Sequence, residues 1–385
     1  MRRTRWGAIA TAASLVLTLA ACTPEPAPVP SGRVPTQTSS PTAGPVQPVG
    51  TPTVIASGLT SPWSVLRLVS EFTLADDTRS ASTLISERDT GIIKELSADG
   101  SLRDAGAVAG VVPAGEGGLL GIEAGYEGET TWVYAYLTTA SDNRIVRMKL
   151  LGAPGGYSLG AEQDILTGLA KAGNHNGGRI KIGPDKHLYA TVGDAGQSSR
   201  AQDPKSLNGA ILRMNLDGSV PTDNPFPDSL VYSKGHRNPQ GLAWDVDGRL
   251  WASEFGQNTW DELNIITPGG NYGWPVVEGI GTNAAFINPV YQWPTSEASP
   301  SGLAFVSGTF FLAALRGQRL WVIYPGSRPV DAVAYFTGEY GRLRDAVPGP
   351  DGTLWVLTNN TDGRGNPGPD DDRLLEIRLD GLVEG

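Results

Sequence analysis

The 385-residue chain holds one cysteine, three histidines and three methionines. A lone cysteine excludes an internal disulfide, and so few His and Cys leave no cluster from which a zinc site is built. No glycine-rich loop opens a helix to cradle a nucleotide, and no nucleophile elbow is present. Long amphipathic helical patterns are scarce. Positive charge is also in short supply: 30 Lys and Arg face 40 Asp and Glu, a net charge of −10. That balance argues against nucleic acid as a partner and against a polybasic membrane patch. The apolar run Gly7–Ala20 is too short to anchor a bilayer span.

That run sits behind Arg2, Arg3 and Arg5 and ends in Leu19-Ala20-Ala21-Cys22, so residues 1–21 read as an export signal. Small residues before a Cys resemble a bacterial lipobox, in which the Cys is acylated; the other reading is a plain signal peptide cut nearby. The first makes the protein a cell-surface lipoprotein on the outer face of the cytoplasmic membrane, the second a periplasmic or extracellular one. In both, the membrane is touched only through the N-terminus. Residues 22–50 are rich in Pro, Thr, Ser and Val and bury too little to offset their ordering entropy, so they are expected to form a tether. A single domain is expected over residues 51–385, folding from near Val54.

What the domain has in abundance is glycine, 50 residues in the whole chain, and short β-rich runs broken by tight turns. Leu84–Leu96 gives two strands around Asp89-Thr90-Gly91. Thr131–Leu137 turns at Ser141-Asp142-Asn143 into Arg144–Leu150. Turns at Asp185, Asp247 and Asp351 each precede a Leu-aromatic pair: Leu188-Tyr189, Leu250-Trp251 and Leu354-Trp355. The first interval between these turns is about one blade of a β-propeller and the second about two, which predicts an all-β, six-bladed β-propeller. A sandwich or barrel without repeats is the alternative. In a closed ring, loops converge on one end of a central channel, where a site can form.

His187 follows a turn and reads as exposed. His175, in Gly173-Asn174-His175-Asn176-Gly177-Gly178-Arg179, and His236, in Gly235-His236-Arg237-Asn238-Pro239-Gln240-Gly241, both flank strand starts. Both are therefore candidates for loops at a propeller face. A neutral imidazole there is either a general base or a turn cap. Asp194 ends the strand after His175 and is either its orienting carboxylate or an Asp turn. Arg342 and Arg344, two apart, project to one face if extended; they suit a carboxylate or phosphate ligand, or form a solvated pair. Asp261-Glu262 offers hard oxygens for Ca²⁺.

Six ordered blocks carry a more specific signal: GEGGLLGIE (115–123), NHNGGRIKIGPDKHLYATVGD (174–194), LNGAILRMNLDGSVPTDNPF (207–226), YSKGHRNPQGLAWD (232–245), SEFGQNTWDELNIITPGGNYGWP (253–275) and GRLRDAVPGPDGTLWVLT (341–358). Together they resemble the soluble-type, pyrroloquinoline quinone (PQQ)-dependent glucose/sorbosone or aldose sugar dehydrogenases. The resemblance implies a six-bladed propeller with the quinone over one end of the channel, and oxidation of an aldose at C1 to the lactone, with electrons passing on to an external acceptor. It implies that His175 is the base, that Asp194 pairs with it, and that Arg237 stabilises the developing oxyanion. It places Asn238 beside the quinone, Arg316 toward the quinone carboxylates where glucose enzymes have Lys, and Arg342 and Arg344 as the cofactor's grip. It gives the carbonyls of Gly256 and Gln257 to a catalytic Ca²⁺, and the Glu262 side chain and Tyr272 carbonyl to a second, structural one. Two departures fall at sugar-contacting positions: Glu116 stands where Gln is common, offering two acceptors for sugar hydroxyls, and Asn174 replaces an Asp. A cofactor-free glycan-binding propeller and a Ca²⁺-dependent lactonase are the alternatives, but neither has a use for three arginines converging on one point.

Overall fold

The computed structural model describes residues 44–68, 82–327 and 330–382, and their regular structure is strand apart from two short 3₁₀ turns. The signal, Cys22 and the tether up to residue 43 lie outside these residues. β1 (Val46–Ala56) opens the chain. Five sheets follow in sequence. They are β2 (Pro62–Arg67), β3 (Thr83–Glu87), β4 (Ile92–Leu96), β5 (Leu102–Ala107); β6 (Leu119–Glu127), β7 (Thr130–Thr138), β8 (Asn143–Leu151), β9 (Ser158–Leu169); β10 (Ile180–Ile182), β11 (Leu188–Val192), β12 (Ala210–Met214), β13 (Val231–Lys234); β14 (Pro239–Trp244), β15 (Leu250–Glu254), β16 (Trp260–Ile266), β17 (Tyr291–Pro294); and β18 (Pro300–Val306), β19 (Thr309–Ala314), β20 (Arg319–Tyr324), β21 (Asp331–Tyr335). The sixth sheet is β22 (Leu343–Pro348), β23 (Leu354–Thr358), β24 (Leu374–Gly381) and, on its outer edge, β1. Every blade packs on the next, with β22 meeting both β18 and β2, so the ring closes as a six-bladed β-propeller.

Closure comes from the chain's two ends. β1 runs antiparallel to β24, with Val46 opposite Gly381 and Ala56 opposite Leu374. The propeller therefore begins at Val46, inside the stretch expected to be tether. Pro48 is tolerated because β1 is an edge strand, whose open side needs no N–H. The Val46 N–H instead reaches the Thr309 hydroxyl of the neighbouring blade at 2.8 Å.

Burial explains the strand composition. The second strands β3, β11 and β15 are buried at every position because blades cover both their faces. They read accordingly as near-continuous apolar or small-residue runs. The outer strands β9 and β21 are largely exposed, and β9 carries the exposed Glu162, Gln163 and Asp164. Between the second and third blades, Tyr134, Leu188, Ala190 and Leu212 share one core cluster.

The antiparallel meander sorts the loops between the two ends of the ring. Turns from the first to the second strand of a blade, including those at Asp185, Asp247 and Asp351, share one end. Turns from second to third strands and the crossings between blades share the other. Glu116, His175, Arg237 and Arg342 lie in crossings, and Asp194, Gly256, Arg316 and Arg364 in second-to-third turns. All eight therefore belong to the end opposite the Asp turns.

Candidate active site

His175 has a backbone φ of +55°, a conformation non-glycine residues rarely adopt. The loop is pressed onto the end of β11: a Cβ on Gly193 would lie 2.0 Å from the His175 carbonyl oxygen, so only glycine admits this approach. His175 Nδ1 lies 2.8 Å from Asp194 Oδ1. Burial opposes ionisation of Asp194, but the hydrogen bond and charge of His175, the Trp274 indole and the Gly196 N–H outweigh it, and its pKa falls below the usual carboxylate value. An ionised carboxylate only accepts, so Nδ1 carries a proton, and the neutral tautomer that this bond selects has its lone pair on Nε2. The Asn174 amide nitrogen, 3.4 Å from Nε2, suits that tautomer as a donor. Trp274 Nε1 donates to the other Asp194 oxygen at 2.9 Å.

Arg237 lies across from this pair. Its guanidinium sits 5.4 Å from the Trp274 ring centre, and Nη1 reaches the Phe255 carbonyl at 3.4 Å. Burial depresses its pKa, against the charges of Asp194, Glu254, Glu116 and Glu278. The peptide N–H groups of Arg237 and Asn238 both donate to Glu254 Oε1. Asn238 Oδ1 accepts from the Gly177 N–H at 3.0 Å, tying this loop to the His175 loop. His236, a candidate for a loop at a propeller face, does lie in the β13–β14 crossing but is wholly buried: it bonds Glu254 and Ser233 at 2.8 Å each and stacks on Tyr272. His187, expected to be exposed, is half-buried and held by Arg213 and Asp185 at the opposite end of the ring.

Arg316, Arg342 and Arg344 line one cavity of about 200 Å³, together with Trp63, Glu116 and Arg364. Arg342 is paired with Asp362 at 2.9 Å. Among the described residues Arg344 has only neutral acceptors, Gln240 Oε1 at 2.9 Å, Asn359 Oδ1 at 3.2 Å and the Ser301 hydroxyl at 3.4 Å, and its buried Nε finds no partner there. Burial pushes its pKa down to about 9; Asp362 opposes this, and the guanidiniums of Arg342, Arg88 and Arg179 reinforce it. Its ring neighbour is Trp63, 5.6 Å away. A buried cation without a counter-anion, beside a cavity and two more arginines, fits a ligand bearing several carboxylates.

Glu116 is not a free acceptor. One oxygen receives the His175 N–H at 2.9 Å and the other Arg364 at 3.0 Å. About half of the carboxylate's lone-pair capacity remains for a ligand.

Gly256 and Gln257 sit in the tight turn from β15 to β16. Among the described residues, neither carbonyl meets a protein donor, as suits hard-oxygen ligands for Ca²⁺. Asp261 accepts the Gly256 N–H at 2.8 Å and the Ser299 N–H at 2.6 Å; burial raises its pKa to about 6. Glu262 and Tyr272 do not line the cavity. The Glu262 oxygens take the Gly279 N–H and the Asn264 amide. Burial and neighbouring Glu254 raise its pKa to about 7. The described residues hold no group of three or more His, Cys, Asp or Glu arranged to hold a metal.

A model of the glucose/sorbosone dehydrogenase family matches residues 59–368. The chain belongs to that family. A PQQ-bound aldose sugar dehydrogenase from Streptomyces coelicolor is 49% identical and superposes with a TM-score of 0.80, over 89% of this chain and all of that one. Quinoprotein glucose dehydrogenase B of Acinetobacter calcoaceticus is 40% identical over 151 residues, 34% of this chain and 32% of its own length. Aldose sugar dehydrogenase YliI of Escherichia coli is 33% identical over 219 residues, 50% of this chain. The match spans 59% of that relative's length.

Sequence reasoning left several residues bonded to the candidate site unassigned. Trp274 lies in a quoted block, but its indole bond to Asp194 has no local signature. Asp362, Arg364 and Glu278 had no signal at all, because each acts on a residue in a different loop.

Proposed function

We propose that this protein is a PQQ- and calcium-dependent dehydrogenase that oxidises aldoses at C1 to the lactone. The observation that carries the reading is a His175–Asp194 pair of 2.8 Å at the same end of the ring as a cavity lined by Arg316, Arg342 and Arg344. When bound, the quinone supplies the two-electron acceptor for the hydride of C1, and calcium polarises its carbonyl as a Lewis acid.

The protein's own groups supply the rest. His175 Nε2 takes the C1 hydroxyl proton, and the ionised Asp194 stabilises the imidazolium that results. Arg237 stabilises negative charge developing on the C1 oxygen. Arg316, Arg342 and Arg344 hold the quinone carboxylates, Asn238 fixes the loop beside them, and the carbonyls of Gly256 and Gln257 hold the calcium. Glu262 and the Tyr272 carbonyl serve a second, structural calcium. Glu116 and Asn174 flank the base and face the sugar. An external acceptor reoxidises the cofactor. The export signal and Cys22 place the enzyme outside the cytoplasmic membrane, held there by an N-terminal lipid.

Reconstituting purified apo-protein with PQQ and Ca²⁺ and following dye-linked oxidation tests this. Aldoses are expected to be turned over; a flat response across a broad sugar panel overturns the reading.

A further inference from the structure

We infer that Glu278 is a positioning residue that aims the calcium-holding carbonyls, an inference that rests on the calcium reading of Gly256 and Gln257 above. Glu278 Oε1 accepts four consecutive backbone N–H groups: Gln257 at 2.7 Å, Asn258 at 3.0 Å, Thr259 at 3.0 Å and Trp260 at 3.2 Å. A trans peptide sets its C=O opposite its N–H. The N–H of Gln257 shares a peptide with the carbonyl of Gly256, and the N–H of Asn258 with that of Gln257. With both N–H groups turned to Glu278, both carbonyls point away from it.

The neighbouring peptide shows which way that is. Gly256 N–H donates to Asp261, and the opposite carbonyl, that of Phe255, reaches Arg237 in the site. Two carboxylates, the buried Asp261 and the partly exposed Glu278, therefore take up the N–H side of the turn and leave its carbonyl oxygens on the other side. Such a row presents the negative ends of aligned peptide dipoles, as a hard cation requires. Glu278 Oε1 itself is filled by N–H donors, so it acts through the turn and is no ligand. Gly256 is needed for the arrangement: a Cβ there would lie 1.8 Å from the Trp260 carbonyl oxygen and 2.8 Å from Glu278 Oε1.

The test is calorimetric titration of calcium chloride into chelator-treated protein carrying PQQ, for the wild type, Glu278→Gln and Glu278→Ala. Gln keeps an acceptor oxygen and loses the charge; Ala loses both. Calcium affinity is expected to fall about 10- to 100-fold, the usual cost of removing a group that orients metal ligands, and to fall further for Ala than for Gln. Saturating calcium is expected to restore Glu278→Gln turnover, and amide hydrogen exchange at residues 257–260 is expected to rise. Unchanged calcium affinity in both variants overturns the positioning role. A wild type that takes up no calcium overturns the calcium reading itself, and this inference with it. Lost turnover in Glu278→Gln that excess calcium does not restore also counts against it, since a damaged fold behaves that way.

Discussion

Glu116 and Arg364, 248 positions apart, pair at 3.0 Å across the mouth of the cavity. The other oxygen of Glu116 holds the backbone N–H of His175. Asp362 extends the link, taking the Arg364 N–H on one oxygen and the Arg342 guanidinium on the other. One polar chain thus joins an arginine assigned to the quinone to the loop of the base. Charged acceptor and charged donor largely cancel, so a carboxylate at position 116 need not repel an acidic sugar.

Arg364 is about half exposed, and an exposed pair contributes little to stability. Arg364→Ala is therefore expected to leave the melting temperature nearly unchanged. It frees Glu116 to rotate and restores its full negative charge beside the sugar. Steady-state kinetics should show KM for neutral aldoses rising several-fold, with kcat less affected, and a steeper loss for a uronic acid. Equal KM values in wild type and variant would sink the pair's role in the sugar site.

His175→Ala removes the proton acceptor and leaves the arginines in place. Turnover is expected to fall by about 10²–10⁴-fold, the usual contribution of a general base, while the quinone still binds. Asp194→Asn keeps the shape but no longer forces the proton onto Nδ1, so kcat should fall over a similar range. Its stability effect depends on pH in a definite sense. A depressed folded-state pKa stabilises above the unfolded value, about 3.9, and the benefit vanishes as pH falls through the folded value. The gap in melting temperature between wild type and Asp194→Asn should be constant near neutrality and close below about pH 4. A gap that persists at lower pH would falsify the assignment of that stability to the Asp194 charge.

The fold was legible because blades repeat their local chemistry. The turns at Asp185, Asp247 and Asp351 mark the first hairpin of three blades, and Leu188, Leu250 and Leu354 behind them are buried in the cores. Composition misread Val46–Gly50, since a Pro-bearing segment with little apolar surface still folds when a sheet edge stands ready to pair with it. At the site, the structure brings His175 and Asp194 into contact and sets Arg237 at the same end of the ring, all three from contiguous blocks. Residues that act across the ring were not legible. Arg364 meets Glu116, and Glu278 meets the turn after β15, only once the loops have been brought to one end, and no local pattern records such a meeting. His236 does lie in a crossing loop, but its burial was unreadable for the same reason: its partner Glu254 lies on β15 and draws the ring inside.

The arginine cluster gives a prediction about stability without any assay of turnover. Among the described residues Arg344 is buried with no carboxylate of its own, and Arg342 has only Asp362. A polycarboxylate that binds only the folded state raises its stability by about 2.7 kcal/mol at a hundred times its dissociation constant. PQQ should therefore raise the melting temperature of the wild type clearly. In the double variant Arg342→Ala, Arg344→Ala, the shift should vanish at the same concentration, although the apo-protein remains folded. An equal shift in both proteins would remove the grip from these residues.

Trp274 joins two assigned groups, donating Nε1–H to Asp194 at 2.9 Å and offering its ring to Arg237 at 5.4 Å. Substitution can separate these roles. Trp274→Phe deletes the donor and keeps an aromatic face, so Asp194 loses one of the bonds that hold its pKa down. Stability should drop by about 1–3 kcal/mol, as for a buried acceptor stripped of its partner, and kcat should decline modestly because His175 Nδ1 still has its carboxylate. Trp274→Ala also deletes the face, leaving Arg237 unsupported across from the base, so its kcat should fall well below that of Trp274→Phe. Comparing the two with Asp194→Asn in a double-mutant cycle separates the paths: the indole bond should couple strongly to Asp194, and the additional loss in Trp274→Ala should not. If Trp274→Phe already loses as much turnover as Trp274→Ala, the ring has no separate part in holding Arg237.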